Sequence, residues 1–131
     1  MDPDTSNYPS RITLRNESFQ RDVIEASRHC VVLVFFWGPW CGFCRQLIPQ
    51  MERLAEESQG QAVLALADVR AMRDKGRELG MRGLPSIFAF RGGEQADYIL
   101  GSPPIEFFED WLARLIRGDN MERDDDGKYV N

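Results

Sequence analysis

The run Val31-Val32-Leu33-Val34-Phe35-Phe36 constrains this 131-residue chain more than any other stretch. It is apolar at every position, and Trp37-Gly38-Pro39-Trp40-Cys41-Gly42-Phe43-Cys44 follows it at once. A strand that is apolar on both faces must be covered on both, so the run predicts the centre of a sheet packed between helices. The Gly-Pro turn then redirects the chain, and two cysteines three apart open a segment of helical spacing. A thiol in the first turn of a helix lies beside unpaired backbone N–H groups, which favour thiolate over thiol. The thiolate is the form that attacks a disulfide. A second cysteine at i+3 shares the helix face and can close a small ring with the first. Half of a zinc site has the same spacing, so the cysteine pair by itself leaves both chemistries open.

The rest of the chain supplies the alternation that such a sheet needs. Residues 11–14 read as a short strand, and Asn16 or Ser18 can cap a helix to about Ala26 with Phe19, Val23 and Ile24 as its apolar stripe. The helix from Cys41 to about Ser58 places Leu47, Met51 and Leu54 at helical spacing. Pro49 inside it lacks the N–H that would bond the Arg45 carbonyl, which predicts a kink. Residues 61–69 read as a second buried strand and 72–79 as a short helix ended by Gly80. Strands 86–90 and 96–100 flank Arg91-Gly92-Gly93-Glu94, a hairpin signal, and Pro103-Pro104 starts a last helix to Ile116. Strands alternating with helices, then a hairpin and a helix, predict a mixed sheet between helical layers.

His29 and Cys30 with Cys41 and Cys44 would complete a zinc set by type. Spacing opposes it. Six strand residues at ~3.3 Å each hold Cys30 about 20 Å from the pair, and neither a metal nor a disulfide spans that gap. Cys30 reads as a small, partly buried hydrophobe, and His29 as a surface residue. No metal is expected. Trp37 reads as core, and Trp40, beside the first cysteine, as part of a partner-binding surface.

The string Trp40-Cys41-Gly42-Phe43-Cys44, the strand before it and a second landmark, Gly80-Met81-Arg82-Gly83-Leu84-Pro85-Ser86, together resemble the thioredoxin family. The resemblance covers residues 11–117. It implies the α/β thioredoxin fold, a mixed central sheet sandwiched between helices. It also implies a thiol–disulfide oxidoreductase with Cys41 attacking and Cys44 resolving, and no bound cofactor. A cis proline at Pro85 would turn the Leu84 backbone toward the nucleophile, where an extended substrate segment can pair with it. Trp40, Gly42, Phe43, Leu84, Pro85 and the Leu100-Gly101 edge would form the docking groove. Expected partners are disulfide-containing protein substrates and an electron-donating reductase, with disulfide reduction the net reaction and a monomer the expected state. A thiol oxidase or isomerase would use the same residues. A binding or chaperone module with minor redox activity would use the groove alone.

Two departures from the family pattern bear on that choice. Phe43 stands where most thioredoxins have proline, and the dipeptide between the cysteines tunes the dithiol–disulfide balance. Phe35, six residues ahead of Cys41, stands where the family has a buried aspartate that takes the proton of the resolving cysteine. The usual lysine partner of that aspartate matches Leu66 or Ala65, so the whole ion pair is replaced by apolar residues.

Composition fits one domain, with 43% hydrophobic and 28% charged residues. Of the net charge of −5, three units fall after Arg117, where Asp119, Glu122, Asp124, Asp125 and Asp126 face Arg123 and Lys128. A body so near neutral argues against nucleic acid, which needs a basic face. No apolar stretch approaches the ~18 residues of a membrane span. The acidic, turn-rich start has no signal-peptide pattern, so cytoplasmic is the default location; a removed signal peptide would leave no trace. The expected organisation is a flexible arm at 1–10, the thioredoxin-like domain at 11–117, and an acidic disordered tail at 118–131.

Overall fold

The computed structural model describes residues 9–130. Five strands form one sheet: β1 (Arg11–Thr13), β2 (Val31–Trp37), β3 (Ala62–Asp68), β4 (Ser86–Arg91) and β5 (Glu94–Leu100), in spatial order β1-β3-β2-β4-β5. β1, β3 and β2 run parallel, while β4 and β5 are antiparallel. The sheet is therefore mixed, as the alternation of elements predicts. β2 lies at its centre, and its residues 31–36 are all buried.

The alternation of side chains along β2 divides the core in two. Val31, Leu33 and Phe35 join α1 (Gly42–Glu57) and α3 (Ile105–Arg117) through Leu47, Met51, Phe108, Trp111 and Leu115. Val32, Val34 and Phe36 face the opposite layer with Phe19, Val23, Met72 and Phe88. That second layer holds α2 (Arg73–Leu79), which Gly80 ends in the left-handed conformation at φ 88°. α1 runs unbroken through Pro49. Gly92 and Gly93, at φ 65° and 86°, form the two-residue turn that joins β4 to β5, a turn type requiring positive φ twice.

Two segments differ from what the sequence predicts. Instead of a regular helix over 16–26, the chain makes a 3-10 turn (Asn16–Ser18), a π-helical stretch (Gln20–Glu25) and another 3-10 turn (Ala26–Arg28). Ser18 Oγ accepts from the Arg15 amide at 3.0 Å and donates to the Arg15 carbonyl at 3.1 Å, which tightens the entry turn. Phe19 and Val23 still reach the core, as their spacing requires.

The second difference is the acidic tail, where composition predicts disorder. Gly118 ends α3 at φ 84°, and the chain then folds back. Met121 is buried in the α1–α3 core. Arg123 grips Asp97 of β5 at 2.7 Å, and Tyr129 lies under the Arg114 guanidinium at 4.1 Å. Asp124 accepts the amides of Asp126 and Lys128, so part of the acidic run closes a turn. The expected arm at 1–10 lies outside the described residues except for Pro9 and Ser10; the Ser10 carbonyl accepts the Leu64 amide at 2.8 Å.

Candidate active site

β2 delivers Trp37 to one end of the sheet, and residues 38–41 turn there into α1. The Cys41 amide donates to the Gly38 carbonyl at 3.0 Å and closes this turn. Gly38 has a second function, since a Cβ on it would sit 2.7 Å from Cζ2 of Trp40. The indole of Trp40 thus lies against bare backbone, and 65% of the residue remains exposed. Trp37 is half-buried and packs on the core, as its pattern predicts.

Cys41 is the N-cap of α1. Its Sγ accepts the Cys44 amide at 3.2 Å, so a sulfur occupies the place where a serine or aspartate oxygen caps an ordinary helix. Cys41 and Cys44 form a disulfide with Cα atoms 5.3 Å apart. The two sulfurs differ in access: Cys41 is half-buried, while Cys44 is fully buried among Phe35, Leu47 and Leu66. The Cys44 amide and the positive end of a 16-residue helix therefore converge on the accessible sulfur.

Leu84 and Pro85 arrive from the neighbouring strand. Phe36 of β2 pairs with Ser86 of β4, so the Leu84–Pro85 bond, which is cis, lies beside the end of β2. Ser86 pairs with Leu100, and the Gly101 amide donates to the Pro85 carbonyl at 2.9 Å. Residues 37–44, 83–86 and 100–101 are thereby brought to one end of the sheet. Phe43 and Leu100 are 66% and 49% exposed there, Gly42 is exposed, Leu84 and Gly101 are half-buried, and Pro85 is buried.

Sequence reasoning missed the side chains that hold the 82–86 loop. Tyr98 Oη accepts the Arg82 amide at 3.0 Å and lies 2.8 Å from Ser86 Oγ, which donates to the Gly83 carbonyl. With those directions fixed, Tyr98 donates to Ser86. The Tyr98 ring stacks on Phe88 at 4.3 Å, which fixes its position. The alternation of β5 could have placed Tyr98 on the Phe88 face; no pattern in sequence announces the hydrogen bonds.

Phe35 and Leu66 pair in register across β2 and β3 and are both buried. Among the described residues the buried polar side chains are Ser18, Ser27 and Ser86, so no buried carboxylate stands near Cys44. Cys30 lies at the other end of β2. Its Sγ donates to the Ala26 carbonyl at 3.5 Å, and burial pushes its thiol up to about 11. His29 beside it is exposed. No group of three or more potential metal ligands occurs among the described residues, and none of their helices is long and apolar enough to cross a membrane.

The chain is similar to known proteins over the same elements. The family model "Thioredoxin" matches residues 10–114. A thioredoxin of Rickettsia conorii is 32% identical over 101 residues, 77% of this chain and 94% of that protein. One from Synechocystis is 30% identical over 99 residues, 76% of this chain and 91% of that protein. Thioredoxin M4, chloroplastic, of Arabidopsis thaliana is 32% identical, and the match spans 79% of this chain but only 52% of that longer protein. Among solved structures, a mutant thioredoxin from Halobacterium salinarum NRC-1 superposes with a TM-score of 0.72 at 28% identity, covering 82% of this chain and 93% of that one. Family, fold and cysteine pair agree: the chain belongs to the thioredoxin family and is a protein-disulfide oxidoreductase.

Proposed function

We propose that this chain acts as a disulfide reductase in which Cys41 attacks and Cys44 resolves. The carrying observation is the asymmetry of the pair, with an accessible Cys41 Sγ under the Cys44 amide and a fully buried Cys44. In the reduced state the Cys41 thiolate attacks one sulfur of a substrate disulfide. A mixed disulfide forms and the first substrate thiolate leaves. Cys44 then loses its proton and attacks Cys41 Sγ, releasing the second substrate thiolate and forming the Cys41–Cys44 disulfide. Two electrons pass to the substrate, and a reductase returns them. No bound cofactor takes part.

Trp40, Gly42, Phe43, Leu84, Pro85, Leu100 and Gly101 form the docking groove in this reading. The Leu84 amide and carbonyl have no hydrogen-bond partner among the described residues, so they can pair with an extended substrate segment. The apolar surroundings of Cys44 route its proton to water or to the departing substrate thiolate instead of a carboxylate. A monomer in a reducing, cytoplasmic compartment fits this direction.

The equilibrium potential of the Cys41–Cys44 couple against glutathione decides the direction. A value at or below roughly −230 mV fits a reductase, and one near −180 mV or higher fits an oxidase or isomerase. Cys44→Ser should trap Cys41 in a mixed disulfide with a protein substrate. A second reading, a binding module with minor redox activity, draws on the apolar Phe35–Leu66 pair. It requires that binding survive in a chain with both Cys41 and Cys44 replaced by serine.

A further inference from the structure

The end of the molecule that carries Cys41 is cationic, although the chain has 21 acidic against 16 basic side chains. Three arginines make up this imbalance. Arg45 directly follows Cys44, and its amide bonds the Cys41 carbonyl at 3.2 Å. Arg82 precedes Leu84 by two residues in the loop held by Tyr98. Arg73 opens α2, just beyond the loop whose Val69 amide bonds the Trp37 carbonyl at 2.9 Å. All three are exposed and form no ion pair with the described residues.

Most carboxylates at this end are already engaged. Asp68 binds Arg70 at 2.6 Å, which holds its carboxyl below the usual range, and Asp74 lies 3.6 Å from Arg77. Glu17 pairs with Arg15 at 3.3 Å. Glu106 in the first turn of α3 is exposed and forms no ion pair with the described residues, so one free carboxylate stands against the three free arginines. The other carboxylates without an ion pair include Glu56 and Glu57 at the far end of α1 and Asp124, Asp125 and Asp126 in the C-terminal turn. The molecule is thus polarised, and the positive end of α1 adds to the same side.

Charge and apolar surface occupy that end together. Trp40, Phe43 and Leu100 are three of the five large exposed hydrophobic side chains among the described residues. Resting on the oxidoreductase reading, we infer that the preferred partner presents its disulfide within an acidic segment, with apolar side chains beside the cysteine for Trp40, Phe43 and Leu100. Complementary charge speeds encounter and selects among disulfides of equal chemical reactivity. A like-charged disulfide-bearing segment is repelled by the same three arginines.

Two synthetic peptides test this. Both carry one intramolecular disulfide with the same apolar flank; one has aspartates around it and the other lysines. The second-order rate of reduction by the full reduced chain is measured at low salt and at about 1 M salt, where the screening length falls to about 3 Å. The acidic peptide should react about tenfold faster at low salt, and the ratio should collapse at high salt. Replacing Arg45, Arg73 and Arg82 together by glutamine should bring the low-salt ratio near one. Equal rates, a faster lysine peptide, a ratio unmoved by salt, or a ratio that survives the triple replacement would each overturn the inference. Binding of the two peptides in S-methylated form to the oxidised chain needs no electron transfer. Tighter, salt-sensitive binding of the acidic peptide supports the inference even if neither disulfide is reduced, a result that would sink the reductase reading alone; equal binding overturns the inference.

Discussion

The two ends of β2 carry the same functional group in opposite backbone surroundings. Cys30 stands before the strand and Cys41 beyond it, and both are half-buried. Cys41 Sγ accepts an amide at the start of a 16-residue helix. Cys30 Sγ donates to the Ala26 carbonyl where a helical segment ends, and burial pushes its thiol up to about 11. Accepting an N–H favours the thiolate, whereas donating S–H to a carbonyl favours the thiol. Exposure alone would not tell these cysteines apart. The direction of the nearest peptide dipoles does.

The harshest way to break the comparison is to charge the strand between its ends. Phe35→Asp would bury a carboxylate whose neighbours across the sheet are Leu66 and Ile87. Burial should raise that carboxyl's pKa, so the variant is least affected in acid and loses stability as pH rises from the ordinary carboxylate range up to the raised value. At neutral pH the loss should be about 4 kcal/mol, read by denaturant unfolding. If a base limits resolution, the mixed disulfide on Cys41 should also break down faster. A destabilised variant with an unchanged rate would show that water or the departing thiolate already takes the Cys44 proton.

The next effect sets the two ends directly against each other. In the reduced chain at neutral pH, a small alkylating reagent should label Cys41 first. The start of α1 favours the Cys41 thiolate, whereas burial keeps Cys30 a thiol, so Cys41 has the larger thiolate fraction. The greater intrinsic nucleophilicity of the weaker acid offsets part of this, leaving a ratio of about 10² in rate. Peptide mapping of timed samples reads it. Comparable labelling of Cys30, or Cys44 reacting before Cys41, would end the argument from backbone direction.

Cys30 also gives a pH signature. Its thiol rises from 9.0 to about 11 on folding. Below pH 9 the thiol is neutral in both states and stability does not depend on it. Above pH 9 the unfolded chain loses the proton first, so stability falls as pH climbs toward 11, by about 1 kcal/mol once solvent screening of the half-buried thiol is included. Cys30→Ala should flatten that decline while leaving the neutral-pH labelling of Cys41 unchanged. A decline of the same size in the variant would assign it to other groups.

What was legible in the sequence follows the range of the interactions. β2, α1 and the cysteine pair were readable because an apolar run, a turn and an i+3 spacing are all local. The Gly92-Gly93 turn was readable for the same reason. The C-terminal turn was not, because its anchors are distant: Arg123 reaches Asp97, 26 positions away, and Met121 fills a core built by other elements. An acidic composition gives no sign of either contact. The irregular 16–28 segment kept its apolar stripe but not its helical geometry, since Ser18 competes for the Arg15 backbone. At the site, the resemblance supplied the proposed groove residues, and the structure brings their three segments to one end of the sheet. The clamp behind them joins Tyr98 to Ser86, 12 positions apart, and no local pattern encodes it.

That clamp gives the smallest effect and the finest test of why one end of β2 is reactive. Tyr98→Phe keeps the ring stacked on Phe88 and removes only the hydroxyl that accepts the Arg82 amide and donates to Ser86. The loss should be about 1 kcal/mol of stability. Alkylation of Cys41 by a small reagent should not change, because its thiolate is set by the Cys44 amide and the start of α1, which Tyr98 does not touch. If a substrate segment docks on the Leu84 backbone as proposed, reduction of a protein disulfide should show a raised KM with kcat nearly unchanged, because the 82–86 loop orients that backbone. Equal losses in alkylation and in protein-disulfide reduction would mean that Tyr98 supports the whole end of the sheet. A raised KM with unchanged alkylation would separate the two requirements of that end: a sulfur activated by its own helix, and a docking edge held by side chains from β4 and β5.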